Sequence, residues 1–169
     1  MNREIEIHDA TLGGLTLEQG HVVLHFSTVY IHESEGAPGI DAGSGWVQEA
    51  FLRVGSAVVA GSFSELPVDM WNGYIKLDGA VFDNTIPIPL DHQGAVERHF
   101  EGRGGTISIT GASAKLELIG DATYVEEFGP WRSGTTNRCS VRQRPADHGH
   151  GQNQEQHAGA DDAQGSSMA

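Results

Sequence analysis

Apolar and polar residues alternate along much of the first part of the chain, and this alternation predicts β-strands. In residues 21–31, HVVLHFSTVYI, one alternating set holds Val, Leu, Phe and Tyr, and the other holds Val and Ile. Successive side chains of a strand point to opposite faces, whereas a helix needs apolar residues three and four apart. Because both sets contain apolar residues, we predict a central strand covered on much of both faces. Residues 46–54 repeat the pattern.

A stretch rich in glycine, residues 33–45, lies between these two strands. Its sequence, ESEGAPGIDAGSG, contains four glycines and one proline. Glycine is flexible and proline interrupts backbone hydrogen bonding, so neither a helix nor a strand is expected there. We predict a loop that is long enough to be a binding feature.

The whole pattern predicts an all-β protein. Roughly nine or ten short strands follow one another at a spacing of 8–12 residues, with no convincing helix. Short turns between successive runs imply an antiparallel sheet. Pro87 and Pro89 suit an edge strand of an open sheet. We therefore predict an antiparallel, jelly-roll-like β-sandwich in preference to a closed barrel.

Composition changes at residue 129. The remaining residues, 129–169, are rich in Gly, Gln, His and Ala and contain few large apolar side chains. Such a segment buries too little apolar surface to offset its ordering entropy. We predict a β-sandwich domain over residues 1–128 and a flexible, disordered tail over residues 129–169. Histidines in a flexible tail, such as His148 and His150, bind Ni²⁺ or Zn²⁺ adventitiously, so no natural metal role is assigned to them.

The net negative charge is confined to the predicted domain. Residues 1–128 contain 19 Asp and Glu against 6 Lys and Arg, whereas residues 129–169 contain 4 of each. A surface of this kind repels nucleic acids and anionic membranes and attracts basic proteins or metal cations. We predict a basic protein as the partner, and neither nucleic acid nor membrane; acidity for solubility alone is the alternative.

The sequence also indicates a compartment. The single cysteine, Cys139, excludes an internal disulfide framework. The first residues, MNREIEIHD, carry acids where a signal peptide needs an apolar core, and no apolar run approaches the roughly 18 residues of a membrane span. We expect a soluble, cytoplasmic protein, and we assign it no oligomeric state.

Few motifs point to chemistry. His21 and His25 are separated by about 13 Å along one strand, too far to share a metal ion unaided. Glu33, Glu35 and Asp41 could offer oxygen ligands to Ca²⁺, but the regular spacing of a calcium loop is absent. No nucleophile elbow, phosphate loop or zinc-binding helix motif occurs. We assign no catalytic residue, no metal ligand and no cofactor.

One resemblance bears on function. The opening Ile7-His8-Asp9-Ala10, followed by a Leu-rich strand, a turn and Val22-Val23-Leu24-His25-Phe26, resembles a pattern in small, largely uncharacterised bacterial β-sandwich proteins. The resemblance covers roughly residues 5–128, and its sharpest motif is the His-Asp pair. Some proteins of this type are immunity proteins that neutralise toxins of polymorphic toxin systems. The resemblance implies a sandwich fold and no shared catalytic residues.

These observations favour a non-enzymatic, acidic β-sandwich that binds a basic protein, as an immunity-like or accessory protein. We assign the contact to Glu33, Glu35 and Asp41 in the loop, with Trp46 and Tyr30 at its base as apolar anchors.

Two alternatives belong to other classes. In a carbohydrate- or metal-binding jelly roll, Trp46, Trp71, Tyr30 or Tyr74 would face solvent in a concave sheet. In a hydrolase or isomerase, the site near the loop would use His25, His32 and Glu33.

Overall fold

Nine strands and no helix make up residues 1–129, the part of the chain that this computed structural model describes. In chain order they are β1 (Asn2–Glu18), β2 (His21–Ser34), β3 (Gly43–Gly55), β4 (Val58–Phe63), β5 (Val68–Leu77), β6 (Ala80–Asp83), β7 (Thr85–Ile88), β8 (Asp91–Gly102) and β9 (Gly105–Phe128). The predicted tail lies outside the described residues, except for Gly129. Residues 1–129 contain no candidate for a membrane-spanning helix.

The predicted all-β, antiparallel class is confirmed. The strands run in the order β6-β5-β8-β9-β3-β2-β1-β7, and β4 pairs with β9. A short pairing of Thr11 and Leu12 with Asp69 and Val68 also joins β1 to β5. The pairings of β1, β2, β3, β9, β8 and β5 therefore form a closed circuit, and the opposing layers predicted for a sandwich belong to one hydrogen-bonded sheet.

The circuit surrounds a single apolar core. Every strand of the circuit contributes to it, since side chains of one parity point inward, such as Leu24 of β2, Leu52 of β3 and Phe100 of β8. Among residues 1–129, the one buried residue that is charged is Arg98, which is 0% exposed and faces inward between Val96 and Phe100. The edge position predicted for the proline-containing segment is also observed, because β7 pairs with β1 alone among the described strands.

A bulge explains the two apolar sets of β2. Val22, Leu24 and Phe26 are buried in its first half, and Val29 and Ile31 in its second. The pairing with β3 shifts register between Phe26 and Val29, which changes the inward-facing parity. The two sets thus arise largely from the bulge, although Val23 is buried as well. As a result Tyr30 and His32, like His25 before the bulge, lie on the outer face.

The predicted 33–45 loop is shorter in the structure. β2 and β3 continue to pair as far as Ser34 and Gly43, so only residues 35–42 form the connection. Gly43 and Gly45 are therefore strand residues, and they are small because their neighbours approach closely. A Cβ on Gly43 would lie 2.2 Å from the Glu33 carbonyl oxygen, and one on Gly45 would lie 1.8 Å from the Tyr30 hydroxyl.

Candidate functional site

The outer face of β1 and β2 carries a cluster of acids and histidines. Opposite residues of the two strands are Glu4 with His32 and Glu6 with Tyr30. Because cross-strand neighbours are about 5 Å apart, these four side chains form one group. His8, which belongs to the His8-Asp9 pair noted in the sequence, follows Glu6 on β1.

The carboxylate of Glu6 is the centre of this group. Its Oε2 accepts a hydrogen bond from His32 Nε2 at 2.5 Å, and its Oε1 lies 3.2 Å from His8 Nε2. Asp9 Oδ2 lies 3.5 Å from the same His8 nitrogen. One possible ligand atom from each of Glu6, His8 and Asp9 lies within 4.8 Å of the other two.

Asn84 fixes the far side of the His8 ring. It lies between β6 and β7 with a positive φ of 55°, and its amide contacts His8 Nδ1. The Asn84 backbone is itself anchored, since its carbonyl accepts the Ile7 N–H at 2.9 Å and its N–H donates to Gly73 O at 2.7 Å. His8 is thus held between Asn84 on one side and two carboxylates on the other.

Tyr30 and His32 connect this cluster to the end of β9. The Tyr30 hydroxyl donates to Glu126 at 3.0 Å, and the His32 ring lies edge-on to both Tyr30 and Phe128. Burial, the hydrogen bond to Glu126 and the negative charges of Glu126, Glu6 and Asp9 raise the pKa of Tyr30 to about 12. A shallow pocket of about 220 Å³ lies here, lined by Tyr30, His32, Gly39, Ile40, Glu126, Phe128 and Gly129.

Glu4 has a perturbed carboxyl group. Its partial burial raises the pKa, the neighbouring His32 opposes this by lowering it, and the charge of Glu6 raises it further. The face is therefore crowded with negative charge, and a bound cation would relieve it.

The three acids assigned to the loop have different surroundings. Glu33 is in β2, and its carboxylate pairs with Arg3 at 3.3 Å. Asp41 accepts the Ala37 N–H at 2.6 Å and so stabilises the turn of the connection. Glu35 is exposed. These acids do not converge on one point within residues 1–129, which gives no support to a calcium site there.

The two aromatic residues assigned as anchors are half-buried. Trp46 packs against the core, and its ring lies edge-on to Tyr124, with centroids 5.3 Å apart. Tyr30 is tied to Glu126. The exposed apolar residues nearby are Tyr124 and Val125 of β9, at 50% and 45% exposure, which the sequence reasoning missed. The sequence feature that could have indicated these two residues is the run TYVEEF, in which aromatic and β-branched residues adjoin two acids.

The residues of the hydrolase alternative are each engaged elsewhere. His25 pairs with Glu49 at 2.7 Å and stacks on Phe51. His32 pairs with Glu6, and Glu33 with Arg3. His25, His32 and Glu33 therefore do not form one site, as the hydrolase or isomerase alternative requires.

The aromatic residues of the carbohydrate alternative are also dispersed. Of the four, Trp71 is highly exposed, at 62%. Tyr74 donates its hydroxyl to Glu97 at 2.6 Å and stacks on His99. Comparison of the chain with family models, with curated proteins and with solved structures finds no match.

Proposed function

We propose that this protein binds a partner protein with a basic surface, and that the contact is made by the connection 35–42 and by residues 117–128 of β9, here called the acidic edge. The observation that carries the proposal is the exposure of Tyr124 and Val125 among four acids of the same segment. These acids are Glu117, Asp121, Glu126 and Glu127.

The acidic edge is open on one side. Residues 117–128 pair with β3, while β8 and β4 pair only with earlier parts of β9 among the described residues. Register shifts opposite Trp46 and Gln48 make this edge irregular. Irregularity and charge deter pairing with a second edge of the same kind. Recognition through side chains is therefore favoured over simple strand addition.

The connection 35–42 extends the same surface. Gly43, where it rejoins the sheet, pairs with Phe128 at the end of the acidic edge. Ile40 is exposed beside Glu126, and Glu35 and Asp41 are exposed on the connection. The surface thus combines apolar anchors with a rim of negative charge, an arrangement found in protein interfaces.

Charge and apolar contact have separable effects on binding. Electrostatic potentials of opposite sign on the two partners raise association rates from about 10⁵–10⁶ M⁻¹s⁻¹ toward 10⁸ M⁻¹s⁻¹ at low salt. Buried aromatic anchors mainly slow dissociation, and loss of one costs about 2 kcal/mol or more. The acids should control the association rate, and Tyr124 the dissociation rate.

The test of the charge uses the variant Glu35→Ser, Asp121→Ser, Glu127→Ser. These three acids have no hydrogen-bond or ion-pair partner within residues 1–129, so their loss leaves the fold intact. Proteins captured from source-cell lysate at low salt are identified, purified and measured for binding rates at roughly 0.05 M and 0.5 M salt. We expect the variant to associate more slowly at low salt and as the parent does at high salt.

The matched control removes the same charge elsewhere, by Glu18→Ser, Glu65→Ser and Asp83→Ser. Glu18 lies at the β1–β2 turn, the opposite end of β2 from the connection. This variant should associate at nearly the parent rate. Equal slowing by both variants would mean that overall charge is responsible and that the acidic edge is not the contact.

The anchor is tested by Tyr124→Ala, with Trp71→Ala as control, since Trp71 is exposed on β5. We expect faster dissociation for Tyr124→Ala alone, by roughly tenfold or more. Unchanged dissociation would remove Tyr124 from the interface. Weaker binding only for Trp71→Ala would move the interface to β5.

The resemblance to immunity-type proteins adds a specific form of this proposal, in which the basic partner is a toxin. Co-expression with a toxin encoded next to this protein tests that form. Cells should survive with the parent chain and lose protection with Tyr124→Ala.

A further inference from the structure

We propose that Glu6, His8 and Asp9 bind one divalent transition-metal ion, for which Zn²⁺ is the best match, with Asn84 and His32 as positioning residues. The sequence assigned no metal ligand in this region. The proposal is separate from the protein contact, because it rests on the outer face of β1.

The distances between the three groups are already those of a coordination shell. Zinc bonds to nitrogen and oxygen of 2.0–2.2 Å in a tetrahedral site place neighbouring ligand atoms about 3.3–3.6 Å apart. His8 Nε2 is 3.2 Å from Glu6 Oε1 and 3.5 Å from Asp9 Oδ2. Two edges of the tetrahedron therefore need almost no rearrangement, and the third joins atoms within 4.8 Å.

The contact of Asn84 with His8 provides a second, independent observation. A histidine that binds metal through Nε2 carries its proton on Nδ1 and donates it to an oxygen acceptor. Asn84 Oδ1 is buried and has no hydrogen-bond partner within residues 1–129, while the amide touches His8 Nδ1. A half-turn of this amide exchanges its nitrogen and oxygen and places the oxygen on that proton. The lone pair of His8 Nε2 then faces Glu6 and Asp9.

His32 positions the carboxylate of Glu6. Its hydrogen bond holds Glu6 Oε2, which leaves Oε1 directed at His8. The His32 ring is packed between Tyr30 and Phe128, so this hydrogen bond is held in place. A preset carboxylate loses less freedom when an ion binds.

The chemistry of the group favours a borderline metal ion over Ca²⁺ or Mg²⁺. One imidazole with two carboxylates suits Zn²⁺, whereas Ca²⁺ prefers six to eight oxygen ligands. His8 and Asp9 are exposed, so the fourth position is open to water or to a ligand from solution. Such an open position is typical of zinc sites that take exogenous ligands.

The experiment must separate this site from the histidines of residues 130–169. The parent for the measurement is the full chain with His148→Gln, His150→Gln and His157→Gln. Titration with ZnCl₂ is followed by calorimetry, and circular dichroism confirms that each variant is folded. We expect one Zn²⁺ ion to bind per chain. Titration with CaCl₂ instead should give no heat of binding.

Ligand variants are made in this parent. His8→Gln and Glu6→Gln should each weaken Zn²⁺ binding at least tenfold, while His21→Gln, an exposed histidine at the β1–β2 turn, should leave it unchanged. The proposal is overturned if His8→Gln binds as the parent does, or if the parent binds no Zn²⁺ at millimolar concentration.

Two variants of Asn84 test its positioning role. Asn84→Ala removes the acceptor and should weaken binding about 10–100-fold, the usual effect of losing such a partner. Asn84→Asp supplies a carboxylate acceptor, suits the positive φ, and should bind at least as tightly as the parent. Equal weakening by both would show that an oxygen acceptor on His8 Nδ1 is not what Asn84 supplies, and would remove its positioning role.

Discussion

Replacement of Arg98 by methionine is expected to stabilise the protein, because the guanidinium lies in the apolar core. Ile75 and Ile109 are its cross-strand neighbours, and both are fully buried. Nε, Nη1 and Nη2 of Arg98 have no hydrogen-bond partner within residues 1–129. Methionine is unbranched and flexible, so it can follow the path of the arginine stem without placing a charge in the core.

The magnitude follows from the pKa. Burial lowers the pKa of Arg98 well below its usual range, to about 9. At about 1.4 kcal/mol per pKa unit, this corresponds to roughly 5 kcal/mol against the charged, folded form at neutral pH. Apolar replacement of buried charged groups has given gains of about 1–4 kcal/mol, and we expect Arg98→Met to fall in that range.

Urea unfolding at pH 7 measures the change in the free energy of unfolding. Arg103→Met, at the exposed β8–β9 turn, is the matched control and should lie within about 0.5 kcal/mol of the parent. Arg98→Ala should gain less than Arg98→Met, since truncation leaves a cavity.

The pH dependence gives a second readout. The folded pKa is below the unfolded one, so the unfavourable contribution of Arg98 is complete below about pH 9 and is relieved as pH rises above it. The parent should therefore gain stability relative to Arg98→Met as pH rises above about 9. A loss of stability in Arg98→Met at pH 7 would refute the reasoning, because it would mean that the guanidinium is paired.

Two further predictions concern Tyr30. Its folded pKa is raised to about 12, so its contribution is present below pH 10 and is lost between pH 10 and 12; Tyr30→Phe should abolish that fall in alkaline unfolding curves, and an unchanged fall would assign it to other groups. Gly45→Ala places a Cβ 1.8 Å from the Tyr30 hydroxyl. We expect a loss of about 1–3 kcal/mol in urea unfolding, and a smaller loss in a Tyr30→Phe background; equal losses would mean that the clash is with the ring carbon Cζ, which lies 2.5 Å from the added Cβ and is kept in phenylalanine.

Local patterns made the strands predictable. Alternation depends on neighbouring residues only, and it located β2 and β3 because their inward side chains, such as Leu24 and Leu52, are apolar. The bulge at residues 27–28 was hidden, because a shift of register is decided by the partner strand. The prediction of a long loop failed at Gly43 and Gly45 for a related reason. Glycine permits a turn, but it also permits close packing within a strand, and composition does not distinguish the two.

The candidate sites depend on pairing between distant segments. Glu6 and His32 are 26 residues apart, and His8 and Asn84 are 76 apart. The His8-Asp9 pair was visible in the sequence, but its partners follow from the register of β1 against β2 and β7. The sequence shows which residues of the acidic edge are acids. It does not show that they lie on an open edge, because that depends on the strand order.

The circuit of strands has one narrow seam. Only two residue pairs join β1 to β5, reinforced by the Thr11 hydroxyl, which donates to Asp69 at 2.9 Å. Thr11 and Asp69 are 58 residues apart, so closing the seam requires a loss of chain entropy that only these few local contacts offset. Few hydrogen bonds must break to reopen it, and hydrogen exchange would register such opening before global unfolding. We therefore expect water to reach the interior first through the seam.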